Sequence, residues 1–240
     1  MKYGYSIIYD IQKDMWNWRD SLKNPFLGRS WINNVKDKND LKIVKQILEL
    51  EKKSAEKILK PYLLSQKETQ NSRLNNFLKI IKKDFQKKYQ NAIQVLETIT
   101  QQPIMSDNFT FYITTFPRCP YFYEKREIFI YDSTEDYWGM PIDTFLHEVL
   151  HFQFIYYWYK NPKSAVLKLK YEDFDYLKEA LTVVLDDELK PIISQSDQGY
   201  PSQIKYRKLL RQNWQKYHDF NKLVDFGLSK LNDFIKIKST

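Results

Sequence analysis

The sequence has 240 residues, of which 42% are hydrophobic and 16% aromatic, so the chain can bury a substantial core and is not expected to be disordered. Its net charge of +8 comes from lysines that are interleaved with acidic residues, which is typical of solvated helix faces and not of a nucleic-acid-binding patch. A single cysteine excludes an intrachain disulfide. Because no segment resembles a membrane-spanning helix or a secretory signal, we expect a cytoplasmic protein that binds neither membranes nor nucleic acids.

The first part of the chain, residues 1–107, is predicted to be an N-terminal helical region. It begins with a short helix at about residues 14–22. Hydrophobic residues at helical spacing then predict a helix over about 39–60, ended by Pro61, and a longer helix over about 70–100. Both longer helices are polar on one face, which favours an antiparallel helical hairpin.

Residues 108–240 are predicted to form a second domain. The segment 109–114 alternates between apolar and polar residues as a half-buried strand does, and 127–131 is predicted to be its antiparallel partner. The apolar segment 142–158 predicts a buried central helix. Three further helices are expected at about residues 171–189, 201–221 and 221–235. The expected fold class is α+β and predominantly α-helical, with a small antiparallel sheet packed on the central helix.

The central helix contains the sequence His147-Glu148-Val149-Leu150-His151. Residues four apart lie on the same face of a helix, so the two imidazoles can bind one Zn²⁺ ion together. Glu148 can then reach a water molecule at the metal and act as a general base. The alternative interpretation is a helix that carries two histidines by coincidence.

A catalytic zinc site needs a third protein ligand, and the candidates are His218, the one remaining histidine, or a carboxylate that follows the motif. Glu179 is favoured because it lies in the middle of a predicted helix among apolar residues. A carboxylate buried there without a metal or another cation would be strongly destabilising. The alternative is that Glu179 is an exposed helical glutamate paired with a lysine.

The histidine motif followed by Glu179 resembles the gluzincin group of zinc metallopeptidases, over about residues 108–190. The resemblance implies that Glu179 is the third ligand and that the strand 109–114 lies at a sheet edge, where it holds a peptide substrate by strand addition. Thermolysin-like members of the group have an aspartate four residues after the ligand glutamate, which orients one histidine. Here that position is Val183, so the orienting group must come from elsewhere, for example Asp186 or a backbone carbonyl.

A peptidase also needs a group that stabilises the developing oxyanion. His218 and Tyr217 are candidates because related peptidases use a histidine or tyrosine from a downstream helix, and Tyr200 is a third candidate. The alternative is that they are surface residues. The sequence thus predicts a metallopeptidase with Zn²⁺ as cofactor and a peptide or protein as substrate. The other interpretation is a non-catalytic, peptidase-like zinc domain that binds a partner protein.

Overall fold

A computed structural model describes residues 3–25, 30–70, 72–133, 140–185, 192 and 199–235. The α-helices in this part of the chain are α1 (Ile11–Lys23), α2 (Lys38–Ile47), α3 (Lys52–Glu68), α4 (Arg73–Thr100), α5 (Pro141–Phe154), α6 (Tyr171–Leu181), α7 (Ile204–Tyr217) and α8 (Phe220–Ile235). The strands are β1 (Gly4–Ile8), β2 (Asn108–Thr114), β3 (Tyr121–Phe122) and β4 (Glu127–Tyr131). The predicted class, α+β and predominantly helical, is confirmed.

The chain forms two compact units, and neither is continuous in sequence. The sheet unit comprises Met1–Gln86 and Ser106–Thr144, and the helical unit comprises Lys87–Met105 and Phe145–Thr240. Each unit therefore takes residues from both sides of the boundary that the sequence suggested at residue 107. None of the described helices combines the length and the apolarity that crossing a membrane requires.

The sheet has the strand order β1-β2-β4-β3. β2 pairs with β4 in parallel, so the antiparallel pairing predicted for 109–114 and 127–131 is wrong. The reason is that the chain reverses direction twice between these strands. It turns once before β3 and again after it, where Arg126 adopts a left-handed conformation with φ of 58°. β3 is therefore the strand that is antiparallel to β4.

β2 is an interior strand, because β1 pairs with it in parallel on the side opposite β4. The strand β1 was not among the elements predicted from the sequence. Since the backbone groups of an interior strand are already hydrogen-bonded to two neighbours, they cannot add a peptide strand. The predicted role of 109–114 as a substrate-binding edge strand is therefore wrong.

The helices that precede the sheet's second strand also differ from the prediction. The region expected to be one helix over 39–60 contains α2 and the first part of α3, which are separated by a turn at residues 48–51. Pro61 lies inside α3 and does not end it. A proline removes one backbone donor from a helix, and burial of the neighbouring side chains Leu59 and Leu63 maintains the helix across this position. These side chains belong to a core cluster with Met15 and Trp18 of α1.

A buried polar network joins α1 to the carboxyl end of β2 in the sheet unit. The Asp14 carboxylate accepts hydrogen bonds from the Thr114 hydroxyl at 2.7 Å and from the Thr115 backbone N–H at 3.0 Å. It also accepts from the Thr115 hydroxyl at 2.8 Å and from the Tyr9 hydroxyl at 3.2 Å. Asp14 is fully buried, so these contacts replace the water that the carboxylate loses on folding. We call this group the Asp14 network.

A second polar group in the same unit surrounds Arg73 at the start of α4. Its guanidinium lies 3.0 Å from an Asp40 oxygen and 2.9 Å from an Asp132 oxygen, and it donates to the Thr115 carbonyl at 3.0 Å. Tyr62 donates its hydroxyl to Asp40 at 2.6 Å. Asp40 and Asp132 are both buried, so one arginine balances two buried carboxylates. We call this group the Arg73 cluster.

Candidate metal centre

The helix that carries the histidine motif begins with two recognisable helix-start features. Pro141 is its first residue, where the missing N–H of proline removes no helical hydrogen bond. The side chain of Asp143 accepts a hydrogen bond from the Met140 backbone N–H at 3.0 Å, as the acidic residue of a capping box does. Within the helix that these contacts begin, the four-residue spacing of His147 and His151 places both on one face.

Glu179 lies near the end of α6, and the end of that helix is held by a buried arginine. Arg207, from α7, donates to the Glu179 carbonyl at 3.0 Å and to the Thr182 hydroxyl. Thr182 in turn donates its hydroxyl to the Glu179 carbonyl at 2.8 Å. Gly199 permits this arrangement because a Cβ at that position would lie 2.5 Å from Arg207 Cδ. The backbone that carries Glu179 is therefore fixed by contacts from outside its own helix.

These two helices bring together the three side chains that the sequence analysis selected as metal ligands. His147 Nε2 and His151 Nε2 are 2.9 Å apart. One oxygen of Glu179 lies 3.2 Å from His151 Nε2, and the other lies 3.4 Å from His147 Nε2. The side chain of His151 is 1% exposed whereas that of His147 is 27% exposed. The ligand cluster, formed by His147, His151 and Glu179, therefore reaches solvent on the His147 side.

The separations in the ligand cluster fit one bound metal ion. Two atoms that each lie about 2.0–2.1 Å from a tetrahedral Zn²⁺ are about 3.3–3.4 Å apart. The distances of 2.9, 3.2 and 3.4 Å between the cluster's nitrogen and oxygen atoms are close to this value. Two imidazoles and a carboxylate form a donor set that zinc accepts, and three protein ligands leave a position for water or substrate. The residues present therefore fit a divalent ion at a catalytic type of site.

Glu148 is close to the ligand cluster but is placed differently from Glu179. One of its carboxylate oxygens lies within 4.8 Å of ring nitrogens of His147 and His151. The Glu148 side chain is buried, and residue Glu148 is 8% exposed. Both Glu179 oxygens lie within 3.2–3.4 Å of an imidazole nitrogen, and Glu148 forms with the two histidines a group that could hold a metal ion.

The electrostatics of the ligand cluster favour the protonation states that bind metals. Burial lowers the pKa of His151 to about 3, so its imidazole is neutral at pH 7. Burial alone would raise the pKa of Glu179, but its contacts with His151 and with the Lys178 ammonium hold that pKa well below its usual range. A neutral imidazole and an ionised carboxylate are the forms that coordinate a metal ion.

Lys178 is a residue at this site that the sequence analysis did not identify. Its ammonium lies 3.0 Å from a Glu179 oxygen and 2.8 Å from an Asp175 oxygen. Lys178 is 4% exposed although lysine side chains are rarely buried. One sequence signal could have indicated this buried charge. Lys178 lies in a largely apolar part of α6, between Leu177 and Glu179.

Val183 lies four residues after Glu179, where the resemblance to thermolysin-like peptidases predicted an aspartate. Val183 is 1% exposed and lies in a short 3₁₀ segment that follows α6. It therefore cannot orient a histidine by hydrogen bonding. Asp186, which the sequence analysis suggested as a replacement, lies outside the described residues. The ammonium of Lys178 contacts the Glu179 carboxylate in addition to the two imidazoles.

The three residues predicted to stabilise an oxyanion, Tyr200, Tyr217 and His218, lie at the ends of helices in the helical unit. Tyr217 is 46% exposed, and the ammonium groups of Lys216 and Lys222 lie over its ring. His218 ends α7 in a left-handed conformation, with its ring 5.4 Å from that of Trp214. Tyr200 directly precedes a 3₁₀ turn at Pro201–Gln203. None of these described contacts joins the three residues to the ligand cluster, so their catalytic roles stay predictions.

Comparisons of the chain with protein-family models, with curated proteins and with solved structures found no match. The assignment of a function therefore depends on the geometry and the chemistry of the ligand cluster and of Glu148.

Proposed function

We propose that this protein is a zinc-dependent metallopeptidase whose ligands are His147, His151 and Glu179. The observation that carries the proposal is the convergence of two imidazole nitrogens and a carboxylate within 2.9–3.4 Å, with the Glu148 carboxylate beside them. A structural zinc site is usually closed by four protein ligands. Three ligands together with an adjacent carboxylate are typical of a hydrolytic site.

A zinc ion bound at this cluster would polarise the scissile carbonyl and lower the pKa of a water molecule. Glu148 accepts the proton of the attacking water and passes it to the leaving amine. The carboxylate is suited to this transfer because it lies within 4.8 Å of the imidazole nitrogens, while Glu179 can serve as the third ligand. The partial exposure of the His147 side chain leaves a route by which a peptide can reach the site.

A second candidate function is a non-catalytic, peptidase-like metal domain that binds a partner protein. The observation in its favour is Val183, which is buried and apolar where thermolysin-like peptidases place an orienting aspartate. Loss of such an orienting residue typically lowers metal affinity or activity by about 10–100-fold. The presence of Glu148 favours the peptidase, because a purely structural metal does not require a general base.

The two candidates are separated by Glu148→Gln. Purified protein would be loaded with zinc, and its metal content would be measured by elemental analysis. Hydrolysis would be followed by mass spectrometry on a mixture of unstructured peptides. We expect Glu148→Gln to retain zinc and to lose at least about 100-fold in hydrolysis rate, because the amide cannot accept the proton. Equal hydrolysis by the variant and the wild type would refute the peptidase proposal.

The matched control is Glu172→Gln, the same chemical change at an exposed position of α6. It should change neither zinc content nor hydrolysis. Wild-type protein that holds zinc at one ion per chain but cleaves no peptide in the mixture would instead support the non-catalytic domain. Wild-type protein that binds no divalent ion would refute both candidates.

A further inference from the structure

Lys178 places a buried positive charge directly beside the proposed metal ligands. The charged atom contacts two carboxylates, Glu179 at 3.0 Å and Asp175 at 2.8 Å. The Lys178 side chain is 4% exposed, so solvent does little to screen these contacts. The proposed peptidase chemistry does not use this residue.

The ammonium of Lys178 would repel a metal ion bound at the ligand cluster. The Glu179 oxygen that the ammonium contacts is also 3.2 Å from His151 Nε2, so it faces the ligand cluster. A cation that Glu179 binds is thus separated from the ammonium by one carboxylate group. Like charges at such short range repel strongly at a buried site, by enough to change a binding constant about tenfold or more.

Asp175 can keep the Lys178 ammonium paired when a metal ion occupies the ligand cluster. It lies three residues before Lys178 on α6, so the two side chains are neighbours on the helix surface. The ammonium can therefore leave Glu179 and keep a carboxylate partner. A buried ammonium that lost both carboxylates would be strongly destabilising, and the Asp175 contact avoids that state.

We propose that Lys178 supplies the positive charge that balances Glu179 when no metal is bound, and that a bound divalent ion displaces its ammonium onto Asp175. Lys178 is thus a positioning residue that holds the empty ligand cluster together and competes with the metal. This inference rests on the proposed function only in requiring that the cluster binds an ion. It does not depend on peptide hydrolysis.

The first test compares wild type with Lys178→Met, which keeps most of the side-chain volume and removes the charge. After removal of metal with a chelator, we expect the melting temperature of Lys178→Met to be about 10 °C lower, because Glu179 loses its balancing cation. The Kd for Zn²⁺, measured by competition with a chromophoric chelator, should be tighter than that of wild type by about tenfold or more. Lys208→Met, at an exposed position of α7, is the matched control and should leave both values unchanged.

The second test uses Asp175→Asn, which should weaken zinc binding because the displaced ammonium loses its alternative partner. The same change in the Lys178→Met background should have a much smaller effect on the Kd. Asp175→Asn retains Lys178 and Glu179, so it tests the proposal even if Lys178→Met does not fold. An unchanged zinc affinity in Asp175→Asn would overturn the displacement step.

Two other results would overturn the role of Lys178. The first is weaker zinc binding by Lys178→Met, which would make the lysine an orienting group for Glu179 and not a competitor. The second is an equal loss of melting temperature when Lys178→Met is introduced into wild type and into Glu179→Gln. The charge-balancing role requires a smaller loss in the second background, where Asp175 is the one carboxylate of the pair that still needs the lysine. This stability measurement needs no metal, so it separates failure of the lysine role from failure of the metal site.

Discussion

The sheet unit and the helical unit both bury carboxylates, but the pKa values of those carboxylates are shifted in opposite directions. In the sheet unit, burial raises the pKa of Asp14 to about 6 and raises that of Asp132 well above its usual value. In the helical unit, contacts with His151 and Lys178 outweigh burial and hold the pKa of Glu179 well below its usual range. The Asp14 network and the Arg73 cluster therefore favour uptake of protons, whereas the ligand cluster favours a persistent anion.

The difference shows how a structural polar network can be distinguished from a candidate metal site. The partners of Asp14 are hydroxyls and a backbone N–H, which satisfy hydrogen bonds and supply no charge. The partners of Glu179 are two imidazoles and an ammonium. Imidazole nitrogens are metal ligands and threonine hydroxyls beside a carboxylate are usually not. A buried acid is thus informative about function when the side chains around it are considered.

The largest expected effect is on metal binding. Glu179→Ala removes a ligand and should reduce zinc affinity by more than about 100-fold, since loss of a mere supporting residue already costs about 10–100-fold. Asp14→Asn should leave zinc affinity unchanged. Both are measured by chelator competition, and full zinc content in Glu179→Ala would remove Glu179 from the ligand set.

Arg73→Met should have the largest effect on the stability of the sheet unit. It leaves Asp40 and Asp132 buried without their cation, and we expect the free energy of unfolding to fall by about 3 kcal/mol. Chemical denaturation measures this change. Arg118→Met is the control, because the Arg118–Asp20 pair is more exposed on its carboxylate side and should contribute about 1 kcal/mol or less. Similar losses in the two variants would contradict the idea that burial of the acids decides the cost.

The Asp14 network should make stability depend on pH in the direction opposite to that of an ordinary ion-paired acid. Since the folded-state pKa of Asp14 is raised from 3.8 to about 6, its contribution to stability is complete below about pH 4 and is lost as the pH rises through 6. Relative to Asp14→Asn, the wild type should lose up to about 3 kcal/mol over this interval. Denaturation curves between pH 4 and 7 test this, and parallel pH profiles for both proteins would show that Asp14 is already ionised at pH 4.

The smallest expected effect concerns a half-buried carboxylate directly before α1. Asp10 accepts hydrogen bonds from the backbone N–H groups of Gln12 at 2.8 Å and Lys13 at 3.2 Å. Asp10→Ala should lower the free energy of unfolding by about 1 kcal/mol through loss of this cap. Glu51→Ala is the control, because Glu51 occupies the same position before α3 but makes no side-chain capping bond. A larger loss in Glu51→Ala would contradict this interpretation of the two caps.

The sequence by itself determined the local features of this protein. It predicted α4 and α5 closely, because apolar residues at helical spacing define a buried helix face over many turns. It placed His147 and His151 on one face of α5, because four-residue spacing fixes that relation through helix geometry alone. It also selected Glu179, from a carboxylate surrounded by apolar residues, and the structure brings this side chain to the two histidines.

The tertiary structure decided the features that depend on distant parts of the chain. The direction of β2 relative to β4 follows from two chain reversals, and β1 pairs with β2 across about 100 residues. Two partners of Asp14 are equally remote, because Thr114 and Thr115 lie 100 and 101 positions away. Whether Lys178 faces solvent or Glu179 depends on which elements cover α6. Local periodicity cannot report such contacts, because they arise from the path of the whole chain and not from the geometry of one element.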